Sequence, residues 1–246
     1  MKFFQSFEKK YKKVRNKYRR KIQDKALQVR WEQKSSRPSV GLKDNLTGLD
    51  RCDVHFINLK FRKDRKAEIL QEFKRVGLSN FSRFDAVSDE NGALGCAKSH
   101  EKLLEAAKVN QRQLLMICED DCQFVMDRSK LDGIVEEFFC NPYLEVLCLG
   151  NNAKNGFQIS PALMITSDTQ TTSCYLVKSQ AIRLVLESAR KSVQKLSCGE
   201  PSGDFAIDIV WKELQKKVFF ALPKDLCVKQ RASFSNIQNS YHDYGT

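Results

Sequence analysis

The fold turns on the stretch Leu114-Leu115-Met116-Ile117-Cys118-Glu119-Asp120-Asp121-Cys122. Five apolar residues run directly into three carboxylates. An uninterrupted apolar run of this length predicts a strand buried on both faces, as in the middle of an α/β sheet. Three adjacent acids at its C-terminal end repel one another and lose hydration beside a buried sheet. A divalent cation relieves that cost, because hard ions such as Mg2+ or Mn2+ take carboxylate oxygen. Ligands of open α/β sheets bind beyond the carboxyl ends of the strands. Position and chemistry therefore agree on a metal-diphosphate site. The plainer alternative is an acidic turn in which Asp120 or Asp121 caps the following helix.

Outward from that stretch, strand and helix patterns alternate. Val54-His55-Phe56-Ile57-Asn58-Leu59 reads as a first strand, followed by a basic loop and a helix from Arg65 to Val76 that ends at Gly77. A basic loop after a first parallel strand is where a diphosphate would meet positive charge. Arg62 and Arg65 are the candidates, since guanidinium bridges phosphate oxygens in a bidentate way. The plain reading of the same loop is a solvated helix start. Phe81 to Val87 predicts a second strand, and Gly92 to Val109 a helix carrying Ser99 and His100 in its first turns. Further helices are expected over Leu131–Phe139 and Ser179–Val193, and strands over Leu144–Gly150, Thr172–Val177 and Val218–Leu222. Residues 151–170 read as a polar, irregular loop of the kind that forms lids or acceptor contacts. Ser202 to Trp211 reads as a helix start that places Asp204 and Asp208 on one face. The tail from Gln230 is polar.

Alternation of this kind predicts an α/β fold with a mainly parallel sheet of Rossmann type. No GxGxxG or GxxxxGK[ST] is present, so dinucleotide and P-loop readings lack support. Ser99 and His100 are chain neighbours on a helix and point apart, and there is no GxSxG, so a serine triad is excluded.

The chain has 246 residues and 41% hydrophobic content, enough for one sizeable domain with an appendage. No apolar run approaches the roughly 20 residues of a membrane-spanning helix, and the first residues lack the apolar core of a secretory signal. A cytoplasmic location is expected. Nine scattered cysteines without a CxxC pair predict free thiols in a reducing compartment. Cys118 and Cys122 flank the acids, but no second Cys or His pair stands at zinc-binding spacing.

The net charge of +12 is concentrated at one end. Residues 1–37 hold 14 Lys/Arg and 3 Asp/Glu, whereas the remainder holds 28 and 27. Phe3, Phe4, Phe7, Tyr11, Val14, Tyr18 and Ile22 recur mostly at spacings of three and four among these cations, predicting a basic amphipathic helical arm over residues 1–35. Such a helix can lie on an anionic membrane, bind nucleic-acid phosphates, or pack its stripe on the domain. Residues 36–52 read as a linker and 53–246 as the catalytic domain.

Taken together these segments resemble glycosyltransferase family 25, the lipopolysaccharide-biosynthesis type that includes the collagen galactosyltransferases. Ile57-Asn58-Leu59 with Arg62 and Arg65 is similar to the family's opening motif, and Phe84-Asp85-Ala86-Val87 to its FDAV strand. Gly95-Cys96-Ala97-Lys98-Ser99-His100 resembles its GC-x-x-SH signature, and Ile117-Cys118-Glu119-Asp120-Asp121 its LEDD element. Leu149-Gly150, Tyr175-Leu176-Val177 and Ile207-Asp208 resemble weaker later landmarks, so the likeness spans about 53–237. Cys118 stands where an aliphatic residue is usual, and Asp208 lacks the preceding proline, which leaves Asp204 as its understudy. The first 50 residues match nothing in the family.

The resemblance implies a GT-A fold, a nucleotide-sugar donor, a divalent metal, and inversion at the anomeric carbon. On this reading Glu119 and Asp121 hold Mn2+ or Mg2+, and Asn58, Arg62, Arg65, Ser99, His100 and Asp120 form the donor pocket. Asp208 is the carboxylate base for a hydroxyl of a glycan, lipid-linked or protein acceptor, and galactose from a UDP-sugar is the expected cargo. Two other classes remain open at this stage: a metal-dependent phospho- or nucleotidyltransferase, and a nucleic-acid-binding protein led by its basic arm. An inactive transferase serving as a binding module is a third.

Overall fold

The computed structural model describes residues 2–36, 46–109, 114–153, 155–235 and 240–242. Helix α1 (Lys2–Ser35) precedes β1 (Asp53–Asn58), α2 (Lys63–Arg75), β2 (Phe81–Asp85), α3 (Gly92–Val109), β3 (Leu114–Glu119) and β4 (Cys122–Phe124). Next come α4 (Arg128–Cys140), β5 (Val146–Cys148), β6 (Phe157–Gln158), β7 (Leu163–Thr166), β8 (Cys174–Lys178) and α5 (Ser179–Ser197). Two single-turn helices, α6 (Ser202–Phe205) and α7 (Ile207–Val210), lead to β9 (Phe220–Pro223), β10 (Val228–Gln230), β11 (Ser233–Ser235) and β12 (Ser240–His242).

The apolar run Leu114–Cys118 becomes β3, and its side chains are almost wholly buried. It lies third in an eight-stranded sheet of order β2-β1-β3-β8-β5-β9-β7-β6. β2, β1 and β3 pair in parallel, as do β5 and β9, while β8 runs antiparallel between β3 and β5. Among the described residues, six of the eight strands point one way and only β7 and β8 oppose them. This is the expected α/β class with a mixed, mainly parallel sheet.

Helices cover both faces. Ile69 and Phe73 of α2, Leu131, Val135 and Phe138 of α4, and Leu27 of α1 fill one side. Leu103 and Leu104 of α3, Ile182, Val185 and Leu186 of α5, and Trp211 fill the other. Fully burying one such side chain stabilises the fold by about 1.5–3 kcal/mol, and the two-sided sheet explains why β3 and β8 tolerate no polar face.

Three stretches depart from their sequence reading. Residues 151–170 are not simply irregular: β6 and β7 form a hairpin, and β7 pairs antiparallel with β9. The run Ala162–Ile165 is too short to announce a strand and owes its burial to β9, a long-range partner. The helix expected from Ser202 to Trp211 is interrupted at Ala206, whose extended backbone (φ −55°, ψ 149°) separates α6 from α7. Asp204 and Asp208 therefore do not share a helix face. Residues 46–52, the described end of the linker, are docked. Leu49 donates its N–H to Asp132 (2.8 Å), and Arg51 grips Glu136 (3.1 Å) from α4. The rest of the linker and the far tail lie outside the described residues.

Helix α1 exists as expected, and its second half packs on the domain. Trp31 stands edge-on to Phe219 (5.2 Å between centroids), Lys34 pairs with Glu145 (3.2 Å), and Arg20 with Asp168 (3.0 Å). The packing face is not the predicted stripe: Val14, Tyr18 and Ile22 are exposed. No helix of the described residues is long and apolar enough to cross a membrane.

Two glycines separate the physical demands on this frame. Gly48 has φ +54°, and a Cβ there would sit 2.2 Å from Asp132 Oδ1. Gly133, inside α4, has open space. Gly48→Ala should lower unfolding stability in urea by about 2 kcal/mol through strain and clash, whereas Gly133→Ala should raise it by about 0.5–1 kcal/mol.

Candidate active site at the carboxyl end of the sheet

Beyond β3 the chain turns straight into β4, not into a helix. The acids thus cap nothing; the next helix, α4, is capped by Asp127, whose side chain accepts from the Lys130 N–H (2.9 Å). What holds the acidic turn is long-range. β10 pairs antiparallel with β4, bringing Gln230 opposite Cys122, and the Arg231 N–H donates to the Asp121 carbonyl (2.7 Å).

Each carboxylate has a different environment. Asp120 is fully engaged: Asn58 Nδ2 donates to Oδ2 (2.7 Å) and Arg65 Nη1 to Oδ1 (3.0 Å). Burial nevertheless raises its pKa, Arg65 and Asn58 only partly offsetting the effect. Glu119 Oε1 accepts from the Thr172 hydroxyl (2.5 Å) and faces His100 Nε2 (3.4 Å). Burial works against its charge, but His100 and Thr172 outweigh it and hold Glu119 below the ordinary carboxylate range. Asp121 is the strained member. Arg65 reaches its Oδ2 at 3.4 Å, but buried Oδ1 has no hydrogen-bond partner among the described residues. Burial, then the neighbouring Glu119 charge, push Asp121 up to about 7.

Of the sequence-predicted residues, Asn58 and His100 each face a carboxylate of the acidic turn. Asn58, at the end of β1, also donates to the Arg62 carbonyl (3.1 Å) and accepts from Arg83 (3.1 Å). His100 is wholly buried, its Nδ1 2.9 Å from the Tyr175 hydroxyl. Ser99 lines the cleft, but its hydroxyl is committed to the frame, donating to the Gly95 carbonyl (2.7 Å) and accepting from the Val87 N–H (2.8 Å). These two bonds pin the β2–α3 loop to the helix. Arg62 lines the same cleft with its guanidinium on Asp64 (2.8 Å). Arg65, expected to face a diphosphate, is here the counter-charge of Asp120 and Asp121.

Two clefts meet over these acids. One is lined by Phe61, Arg62, Arg65, Val87, His100 and Glu119–Asp121, the other by Asn152, Gln170, Thr171, Thr172, Ser202 and Asp208; Cys96, Glu119 and Gln230 border both. Asp208 is in the second cleft, accepting from the Thr171 N–H (3.1 Å), whereas Asp204 is exposed and lines neither. Burial, then the Glu119 charge, raise the Asp208 pKa above the usual range. Thr171 holds φ +74°, left-handed backbone that a β-branched residue seldom adopts. The strain sits where its N–H is aimed at Asp208.

Sequence reasoning missed Gln230, Thr171, Thr172 and Phe61. Only Phe61 had a local signal, an aromatic set in a basic loop; it is 61% exposed at the rim of the first cleft. Beneath the acids, the sulfurs of Cys118, Cys122 and Cys174 lie within 4.8 Å of one another, wholly buried in the apolar layer. Burial pushes the Cys122 and Cys174 thiols up, which keeps them neutral.

The donor set fits a divalent cation: carboxylates clustered in a cleft, one with an unsatisfied buried oxygen. Asp121 is the residue so equipped, with Glu119 beside it; both oxygens of Asp120 are taken.

No family model matches the sequence, and neither does any curated protein. Among solved structures, a cytidylyltransferase from Leptospira borgpetersenii is 18% identical with a TM-score of 0.35, the match covering 68% of this chain and 56% of that one. A glycosyltransferase involved in glycosylation of the major capsid of PBCV-1 is 10% identical at TM-score 0.36, covering 70% and 92%. A197 from STIV is 13% identical at TM-score 0.39, covering 78% and 95%.

The raised Asp121 pKa has a sign that can be measured. Between 3.8 and about 7 the folded, metal-free protein keeps a proton that the unfolded chain has lost. Stability therefore falls as pH rises through that window, and the cost is full above it. Asp121→Asn should stabilise the metal-free protein at pH 8, by on the order of a few kcal/mol. The gain should shrink towards pH 4 in paired urea titrations.

Proposed function

We propose that this chain is a metal-dependent glycosyltransferase that moves a hexosyl group, galactose by the family-25 resemblance, from a UDP-sugar to an acceptor hydroxyl with inversion. The observation that carries this reading is the junction of two clefts at Glu119. One holds cations and a carboxylate with a spare buried oxygen; the other adds Asp208, whose pKa burial raises, to the shared Glu119. A donor with a charged diphosphate suits the first and a neutral hydroxyl acceptor suits the second.

In this mechanism Asp208 accepts the proton of the acceptor hydroxyl as its oxygen attacks the anomeric carbon. The bond from that carbon to the diphosphate oxygen breaks with its electron pair, and nucleoside diphosphate leaves. A carboxylate whose pKa burial raises is a stronger proton acceptor than an ordinary one. Mn2+ or Mg2+, held by Asp121 and Glu119, would supply charge stabilisation on the leaving diphosphate. Arg62, at the start of α2, adds positive charge on the same side. Phe61, exposed at the rim of the first cleft, would pack on the nucleobase.

The deciding experiment incubates the protein with a panel of UDP-sugars, with and without Mn2+, and measures released UDP and labelled product. One sugar nucleotide should be turned over only with metal, and Asp121→Asn should abolish this. Asp208→Asn should lower transfer about 100- to 10,000-fold with donor binding intact, and Phe61→Ala should weaken donor binding about tenfold. Nucleotide appearing on the acceptor in place of sugar would mark a nucleotidyltransferase instead. Absence of any sugar-nucleotide binding would sink the reading.

A further inference from the structure

Helix α1 has two unlike faces. Its inner face is spent on the domain through Arg20, Asp24, Leu27, Arg30, Trp31 and Lys34. Leu27 is buried and Arg30 lies over the Phe219 ring at 4.4 Å. At about 100° per residue, Val14, Tyr18, Ile22 and Val29 fall within an arc of about 80° on the opposite side. All four are exposed, Tyr18 and Ile22 by about two thirds (66% and 69%). Phe3, Phe4, Phe7 and Tyr11 continue the same spacing in the sequence. Exposed Arg15, Lys17, Arg19, Lys21 and Lys25 flank the stripe. The one acid between residues 12 and 29, Asp24, is turned inward and accepts from Asn155 (2.7 Å).

We propose that the outer face of α1 is a docking surface for an anionic lipid bilayer. The stripe would enter the headgroup boundary while the flanking lysines and arginines meet lipid phosphates and carboxylates. The charge argument selects this occupant. A second copy laid on the same face would set cations against cations. A nucleic acid would satisfy the cations but leave Tyr18 and Ile22 in water. An apolar stripe with an aromatic residue, bordered by cations over residues 14–29 and meeting an exposed acid only at Glu32, matches the interface of an anionic membrane on both counts. The attachment is also directional. Arg20 to Asp168 and Asp24 to Asn155 tie α1 to the segment carrying Asn152, Gln170 and Thr171. A surface-bound helix would thus hold the second cleft at a fixed attitude to the bilayer.

The test is co-sedimentation of the full chain with sucrose-loaded vesicles of phosphatidylcholine, alone or with about 30% phosphatidylserine. Binding is expected only to the anionic vesicles and should fall with added salt. The double variant Tyr18→Ser, Ile22→Ser should bind them about tenfold more weakly with an unchanged unfolding midpoint, since both side chains are exposed. No binding to anionic vesicles, or equal binding by the variant, would overturn the proposal. So would sedimentation velocity showing a dimer that the variant loses, or duplex-DNA binding stronger than vesicle binding.

Discussion

A single guanidinium, Arg65, faces two of three consecutive carboxylates at the mouth of a buried sheet, and the rest of the site is arranged around that imbalance. Like charges this close cannot all be ionised out of water unless each has a partner. Asn58 and Arg65 partner Asp120; Thr172 and His100 partner Glu119. Asp121 is left with a buried oxygen that nothing described satisfies. The partners come from β1, α2, α3 and the segment before β8, so the placing of four elements is coupled to one electrostatic problem. The divalent ion proposed above would supply positive charge at that carboxylate.

The second cleft stores a different kind of tension. Thr171 is kept in left-handed backbone by the hydrogen bond to Asp208 and by the pairing of the residues after it with β3 and β5. Its segment is braced from outside as well: Trp211 and Gln215 hydrogen-bond the Thr169 carbonyl, and Lys212 grips Asp168 (2.6 Å). The carboxylate proposed as base is thereby oriented by a backbone donor that cannot relax.

Much of this was legible from residues alone. The run Leu114–Cys118 predicts a buried strand, and it forms the core of β3, with the acids at its carboxyl end. The amphipathic start predicts α1, and glycine at 77 predicts the end of α2, where φ is +66°. What escaped depends on distant partners. β7 is a strand because β9 lies beside it. Ala206 breaks a run whose local spacing is helical. The inner face of α1 is chosen by Phe219 and Asp168, so the more obvious apolar stripe is the one left outside. Ser99 carried a family signature, but nothing in its local sequence announced that its hydroxyl ties a loop to a helix.

The pairing of β10 with β4 has a temporal consequence. Gln230 borders both clefts and Arg231 closes the acidic turn, yet they come long after Asp121 in the sequence. On the ribosome the carboxylates are therefore made before the strand that closes their turn. Until the segment from Val228 has emerged, β4 has an unpaired edge and the turn lacks its clasp. The charged cluster is thus made before the strand that clasps it.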